Sequence, residues 1–221
     1  MEDFIASQVN ACLFECARGS FISSFKQNAF DLVVAKFGLD VSAFLSKDPS
    51  CKNNVNFLMH YTSLKAVLHY RIANQIIQEG LDPEVAFSIS NRGKLLSQAE
   101  IHPFANIGHS FILDHGVGTV IGETTRIGNH AYILGGVILG ACGISNNGDL
   151  KRHPTLGDWV EVGTRAKVLG PVHVGDHVFI GADCLVAEDV NDFSRVVLTK
   201  TIQITKHAQW SGRKAGPCAY S

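Results

Sequence analysis

The sequence has no excess of charge of either sign: 19 Lys and Arg against 20 Asp and Glu leave a formal net charge of -1. That balance excludes a protein held to nucleic acid or a membrane surface by bulk charge. It has no apolar run long enough to span a bilayer. Its opening, MEDFIASQVN, is acidic and has no basic n-region, so no signal peptide is expected. The six cysteines, Cys12, Cys16, Cys51, Cys142, Cys184 and Cys218, include no C-x-x-C pair and no zinc-finger spacing. Cys12 and Cys16 stand four apart, which fits one helix face, but no second pair completes a metal site. Six reduced thiols, no bound metal and a cytoplasmic location are the expectation.

What the chain does have is a repeat. Aliphatic residues stand at Ile101, Ile107, Leu113, Ile121, Ile127, Ile133 and Leu139, then at Leu156, Val162, Val168, Val174, Ile180 and Val186. Within each group the step is six residues, apart from one step of eight between Leu113 and Ile121; a gap of seventeen separates the groups. A glycine directly follows eight of the thirteen positions. Neither a 3.6-residue helix nor strand alternation makes glycine recur at six. A coil of short strands and tight turns does, with its aliphatic residues stacked inward. Three hexads per turn give about four coils. Both ends of such a coil expose unpaired edges and need caps.

The flanking segments are the candidate caps. Residues 1 to about 47 read as helical, with an apolar set from Phe30 to Phe44 that Gly38 is expected to break. Asn54 to about Glu79 is the clearest helix: Phe57, Tyr61, Leu64, Leu68, Ile72 and Ile76 form one apolar stripe, and Gly80 ends it. Asp82-Pro83 opens another helix, running to about Gln98. The stretch VVLTKTIQITK after the last hexad is a candidate capping strand, and the last ten residues read as disordered. The expected division is a helical segment over 1–99, a coil over 100–193 and a tail over 194–221.

Chemistry is expected where the repeat breaks. His115 lies in the eight-residue step, beside Asp114 and among glycines. An imidazole can take up and return a proton near neutral pH, and a base of this kind needs a partner to orient it. Glu100 and Glu123 are the candidate partners. The seventeen-residue gap holds a loop rich in Gly, Asn and Asp that ends in Lys151, Arg152 and His153. Loops on a rigid scaffold tend to carry function, and an arginine fork suits a carboxylate or phosphate. A basic pair after a polar loop is equally compatible with a solvated surface. Asp48, in the Lys47–Ser50 turn, reads on its own as a cap or turn residue.

Several words of the sequence are specific enough to name a family. IHP at 101–103, LDHGVG at 113–118, IGET at 121–124 and RHP at 152–154 resemble the serine acetyltransferases, as do YRIA at 70–73 and KDPS at 47–50. The resemblance covers roughly 48–192. It implies an α+β chain in which a helical segment precedes a left-handed parallel β-helix. It also implies a homotrimer with sites between neighbouring prisms, and leaves open whether trimers pair. The implied reaction moves an acetyl group from acetyl-CoA to the hydroxyl of L-serine or a close amino-acid relative. His115 would be the general base attacking without a covalent acyl-enzyme, and Glu100 and Glu123 would support it. Asp48 and Asp114 would hold the acceptor's ammonium group, and Arg152 and His153 its carboxylate and reacting end. Coenzyme A would lie near Ala141, Thr164, Lys167 and Ala182.

The chain departs from the family pattern at Glu100, where the family has Asp, at Ala141 in place of Gly, and at Thr164 in place of Ala. The 140–155 loop is two residues longer than expected. The sequence ends in Ser221 and not the Ile that many members insert into a sulfhydrylase, so no such complex through the tail is expected. Three other readings compete. One is acetyl transfer to a different small hydroxyl or amine acceptor. Another is a degenerate trimer that only binds. The third is a zinc hydratase like the γ-carbonic anhydrases, whose His spacing is absent here.

Overall fold

A computed structural model describes residues 1–16, 21, 24–47, 60–143 and 151–199. Asp48, the loop tip at 144–150 and the tail at 200–221 lie outside the described residues. Among the described residues, four helices precede fourteen strands: α1 (Glu2–Cys16), α2 (Gln27–Lys47), α3 (Thr62–Gln78), α4 (Pro83–Ser97), then β1 (Glu100–Ile101) to β14 (Arg195–Val196). Among the described residues, no helix is long and apolar enough to cross a membrane.

Every strand pairs in parallel with the strand three further on in sequence, apart from the last rung, where β14 pairs with β12. Three sheets result, and we call them faces A, B and C. Face A stacks β1, β4 (Val120–Ile121), β7 (Ile138–Gly140), β10 (Lys167–Leu169) and β13 (Leu185–Val186). Face B stacks β2 (Asn106–Ile107), β5 (Arg126–Ile127), β8 (Thr155–Leu156) and β11 (His173–Val174). Face C stacks β3 (Ile112–Leu113), β6 (Tyr132–Ile133), β9 (Glu161–Val162), β12 (Phe179–Ile180) and β14. The chain winds through A, B and C as a three-sided coil. All thirteen hexad aliphatics are buried along its axis.

The two irregular steps both lie at corners. The eight-residue step turns the chain from face C to face A, and the long gap lies between β7 on face A and β8 on face B. The B-to-C corner carries a ladder of rings: His109, His130, Trp159, His177 and Phe193, with His130 and Trp159 stacked at 4.0 Å between centroids. Asn129, Asp158, Asp176 and Asp192 form a second ladder there. Each side-chain oxygen accepts a backbone N–H from the rung above, for example Asp158 N–H to Asp176 Oδ1 at 2.7 Å. This close approach accounts for the corner glycines: a Cβ on Gly157 would lie 2.1 Å from Asp176 Oδ1.

The helices cap the first rung by hydrogen bonding to its open edges. Tyr70 and Asn74 donate to the Ala105 carbonyl at 2.8 and 3.0 Å, and Asn74 also reaches Pro103 O. Arg71 donates to Ile107 O at 2.7 Å and to Gly108 O, and Ser90 donates to Ile101 O at 2.8 Å. The same guanidinium grips buried Asp40 through two bonds of 2.8 and 3.0 Å, and Asp40 accepts the Phe111 N–H at 2.8 Å. Burial pushes the Asp40 carboxyl up, while Arg71 and that N–H oppose the shift. Unpaired, these carbonyls would each cost about 1–3 kcal/mol.

Three expectations need correction. Gly38 does not break α2, which runs through it; a buried face from Ala29 to Phe44 holds the helix together, and its gain exceeds the roughly 1 kcal/mol cost of a helical glycine. The third described helix begins at Thr62, because Tyr61 is extended and has no side-chain cap; the expected start over 54–59 lies outside the described residues. The coil runs past residue 193, since β14 adds a rung to face C. The helix at Asp82-Pro83 forms as expected, with Asp82 Oδ1 accepting the Glu84 N–H at 2.9 Å.

Candidate active site

The two-residue insertion pushes the C-to-A corner outward. A regular corner here has one residue with positive φ, as at Gly136, Arg165 and Asp183. The inserted corner has His115, Gly116 and Gly118. His115 stands out above Gly135, with its side chain 82 % exposed and its Nε2 3.8 Å from Asp114 Oδ1. Asp114 Oδ2 accepts the Tyr132 hydroxyl at 2.6 Å. Lys47, the last residue of α2, pairs with Glu161 at 2.6 Å and lies over the Tyr132 ring. Asp48 itself is outside the described residues, but its chain neighbour therefore ends one ring away from Asp114.

The A-to-B corner gathers a second group. Arg152 pairs with Glu123. His153 is buried, and its Nδ1 accepts the Thr124 N–H at 3.1 Å and lies 2.9 Å from Thr124 Oγ1. Nδ1 is thus an acceptor, so neutral His153 carries its proton on Nε2. Burial lowers its pKa first, and the neighbouring Arg152 adds to this. His102 is lowered as well, again mainly by burial. Lys151 donates to the Thr124 and Pro154 carbonyls, and burial with nearby Arg126 brings it to about 8. The His153 ring lies on Gly122: a Cβ there would meet Cδ2 at 2.1 Å. A cavity of about 380 Å³ opens beside this group, lined by Phe104, Glu123, Thr124, Arg126 and Lys151 among others.

Face A separates the two corners. Its outward row reads Glu100, Val120, Ile138, Lys167 and Leu185 in register. Glu100 and Lys167 therefore project from one surface, about 14 Å apart at three strand spacings. Glu100 pairs with Lys94 of α4. Thr164 and Ala182 continue the His115 corner downward, and Thr164 Oγ1 donates to Gly135 O at 2.7 Å. Ala141 follows β7 on the opposite edge. So the structure brings together Asp114 with His115, and Glu123 with Arg152 and His153. It keeps the two groups on opposite edges of one face.

Sequence reasoning left Tyr132, Thr124, His102, Lys151 and Lys47 out of the site. Thr124 and His102 stand inside the IGET and IHP words, which was the available signal. Tyr132 had none, because its role comes from stacking beside Asp114 across the coil.

The fold defines a class: three-sided coils of parallel strands built on a six-residue repeat, here interrupted at two corners. No protein-family model matches the chain. It is 42 % identical over 162 residues to a serine acetyltransferase of Helicobacter pylori, covering 73 % of this chain and 92 % of that one. Its structure superposes on that of serine acetyltransferase isoform 3 from Entamoeba histolytica, solved with cysteine, with a TM-score of 0.73 at 30 % identity; the match covers 88 % of this chain and 72 % of that one. The Neisseria gonorrhoeae serine acetyltransferase, solved with serine, gives 0.71 at 32 % identity over 78 % and 70 %. The chain belongs to the serine acetyltransferase family.

Proposed function

We propose that the protein transfers an acetyl group from acetyl-CoA to the hydroxyl of L-serine. In this reading each chain is a left-handed coil and the catalytic centre forms between neighbouring copies of a homotrimer. The observation that carries it is the division of ionisable residues between two edges of face A: Asp114 and His115 on one, Glu123, Arg152 and His153 on the other. A cyclic trimer joins unlike surfaces, so the C-to-A edge of one copy can meet the A-to-B edge of the next. Two relatives solved with serine and with cysteine support a pocket for a small α-amino acid.

The His115 imidazole takes the serine hydroxyl proton as Oγ bonds to the thioester carbonyl carbon. When the C–S bond breaks, the imidazolium returns that proton to the departing sulfur, with no covalent acyl-enzyme. Asp114, with Asp48, holds the ammonium group, and the Arg152 fork takes the carboxylate. His153 presents its Nε2–H at the same end. Glu100 orients His115 once Lys94 releases it; their bond is half-exposed and therefore weak. Thr164, Lys167, Ala182 and Ala141 border the groove for coenzyme A. Holding both substrates together supplies much of the rate.

The test is release of coenzyme A, read with a thiol reagent, using serine, homoserine and threonine as acceptors. Turnover with serine that disappears in His115→Ala is expected. Turnover with another acceptor alone would replace serine and keep the mechanism. No thiol release from the folded protein with any acceptor would overturn the reading.

A further inference from the structure

Far from face A, the N-terminal helices bring three soft donors together. Cys12 and Cys16 stand at i and i+4 on α1, so both thiols leave one helix face. His69 of α3 projects between them, and the two Sγ atoms and the imidazole nitrogen lie within 4.8 Å of one another. The spacing of the two cysteines alone gave no third ligand; the packing of α1 on α3 brings His69 beside them.

His69 is prepared for coordination. It is 4 % exposed, and its Nδ1 lies 2.7 Å from the Lys65 carbonyl, which can only accept. Nδ1 therefore carries the proton and Nε2 the lone pair. Nε2 is buried with no hydrogen-bond partner. An imidazole whose far nitrogen donates to a backbone carbonyl is the arrangement that fixes a metal-binding histidine. The ring is also held in place from behind, since a Cβ on Gly93 would lie 2.7 Å from His69 Cβ. Arg92 stands nearby, but its charge is paired with Glu15.

We propose that Cys12, Cys16 and His69 bind a zinc ion, which staples α1 to the helix that caps the coil. Two thiolates and a neutral imidazole neutralise the dication and match its preference for sulfur and nitrogen. Tetrahedral zinc sets its donors about 3.5–3.8 Å apart, from Zn–S and Zn–N bonds of about 2.3 and 2.0 Å. Side-chain movements of about 1 Å close the present cluster to that size. Cys16 is only half-buried, so the ion has a way in and a water can take the fourth position. The site is separate from the acetyl-transfer reading and does not depend on it.

The experiment uses the full chain, stripped with a chelator under reducing conditions and titrated with Co²⁺, then with Zn²⁺ in competition. One Co²⁺ per chain is expected, with a thiolate-to-cobalt charge-transfer band in the near ultraviolet that Zn²⁺ displaces. Cys16→Ser, at the half-buried position, should fold and lower the affinity about 100-fold or more. Cys12→Ser and His69→Ala should do the same, and Cys142→Ser, far away on the coil, should leave binding unchanged. A band that survives in the Cys12→Ser/Cys16→Ser double variant would overturn the site. So would a folded wild-type protein that takes up no Co²⁺ in excess.

Discussion

Around the first rung, Asp40, Tyr70, Arg71 and Asn74 are all buried, and each hydrogen bonds to backbone or to another member of the set. Around face A the polar residues other than buried His153 are half-buried or exposed: the His115 side chain is 82 % exposed, and Arg152 and Glu123 are about a third exposed. Both groups combine a cation, a carboxylate and a hydrogen-bonding ring. Those of the cap meet every requirement of the buried backbone and have nothing left to offer a ligand. Those of face A keep unused donors and acceptors at an open surface. Partner count therefore separates the residues of the cap from those of the candidate site, where residue type does not.

Variants on the two sides should part cleanly. His115→Ala is expected to lower turnover by about 10²- to 10⁴-fold, the usual contribution of a general base. Its urea unfolding curve should match the wild type, because the side chain packs on little. Arg71→Leu should do the reverse. It leaves Asp40 buried without its cation, a loss of about 3–5 kcal/mol in unfolding free energy. Turnover per folded molecule should stay near wild type. A fall in activity without a fall in stability would break the distinction.

Gly122→Ala sharpens the comparison, since it lies on the coil and an added methyl would meet the His153 ring first. The added methyl would displace the His153 ring. A cost on the order of 100-fold in kcat/KM is expected from misplacement alone, with far-ultraviolet circular dichroism unchanged. The smallest effect is in pH. His102 and His153 both titrate below their ordinary 6.5 in the folded protein. Folding thus binds fewer protons. The stability they contribute is complete above 6.5 and is lost as pH falls through the lowered values. Unfolding free energies measured from about pH 7.5 down to about pH 5 should show this decline. Arg152→Ala should move the His153 resonance back toward 6.5, because one of the causes of its shift is gone.

Much of this was readable in the chain. Period six and its glycines require a coil, and each hexad aliphatic is buried in it. The broken step marked His115, and the long gap marked Arg152 and His153. What escaped depends on distance in sequence. Asp40 and Arg71 are 31 residues apart, and nothing local in either signals a buried pair. His69 meets Cys12 and Cys16 only through helix packing. Tyr132 reaches Asp114 because one turn of coil returns the chain beside it. Gly38 misled because packing on α1 outweighs a local helix preference. The strand β14 carries no glycine signal, so the repeat seemed to end one rung early.

In the proposed trimer the two edges of face A, drawn from different copies, make one site. The test is complementation between His115→Ala and Arg152→Ala chains, co-expressed in equal amounts with different tags and assayed without separating mixed from unmixed assemblies. Each variant alone should be nearly inactive. In a random mixture of equal amounts, about one site in four joins an intact His115 edge to an intact Arg152 edge. Recovery of about one quarter of wild-type turnover is therefore predicted. No recovery above the parent variants, in assemblies shown to contain both chains, would mean that His115 and Arg152 must come from the same copy and would contradict the account.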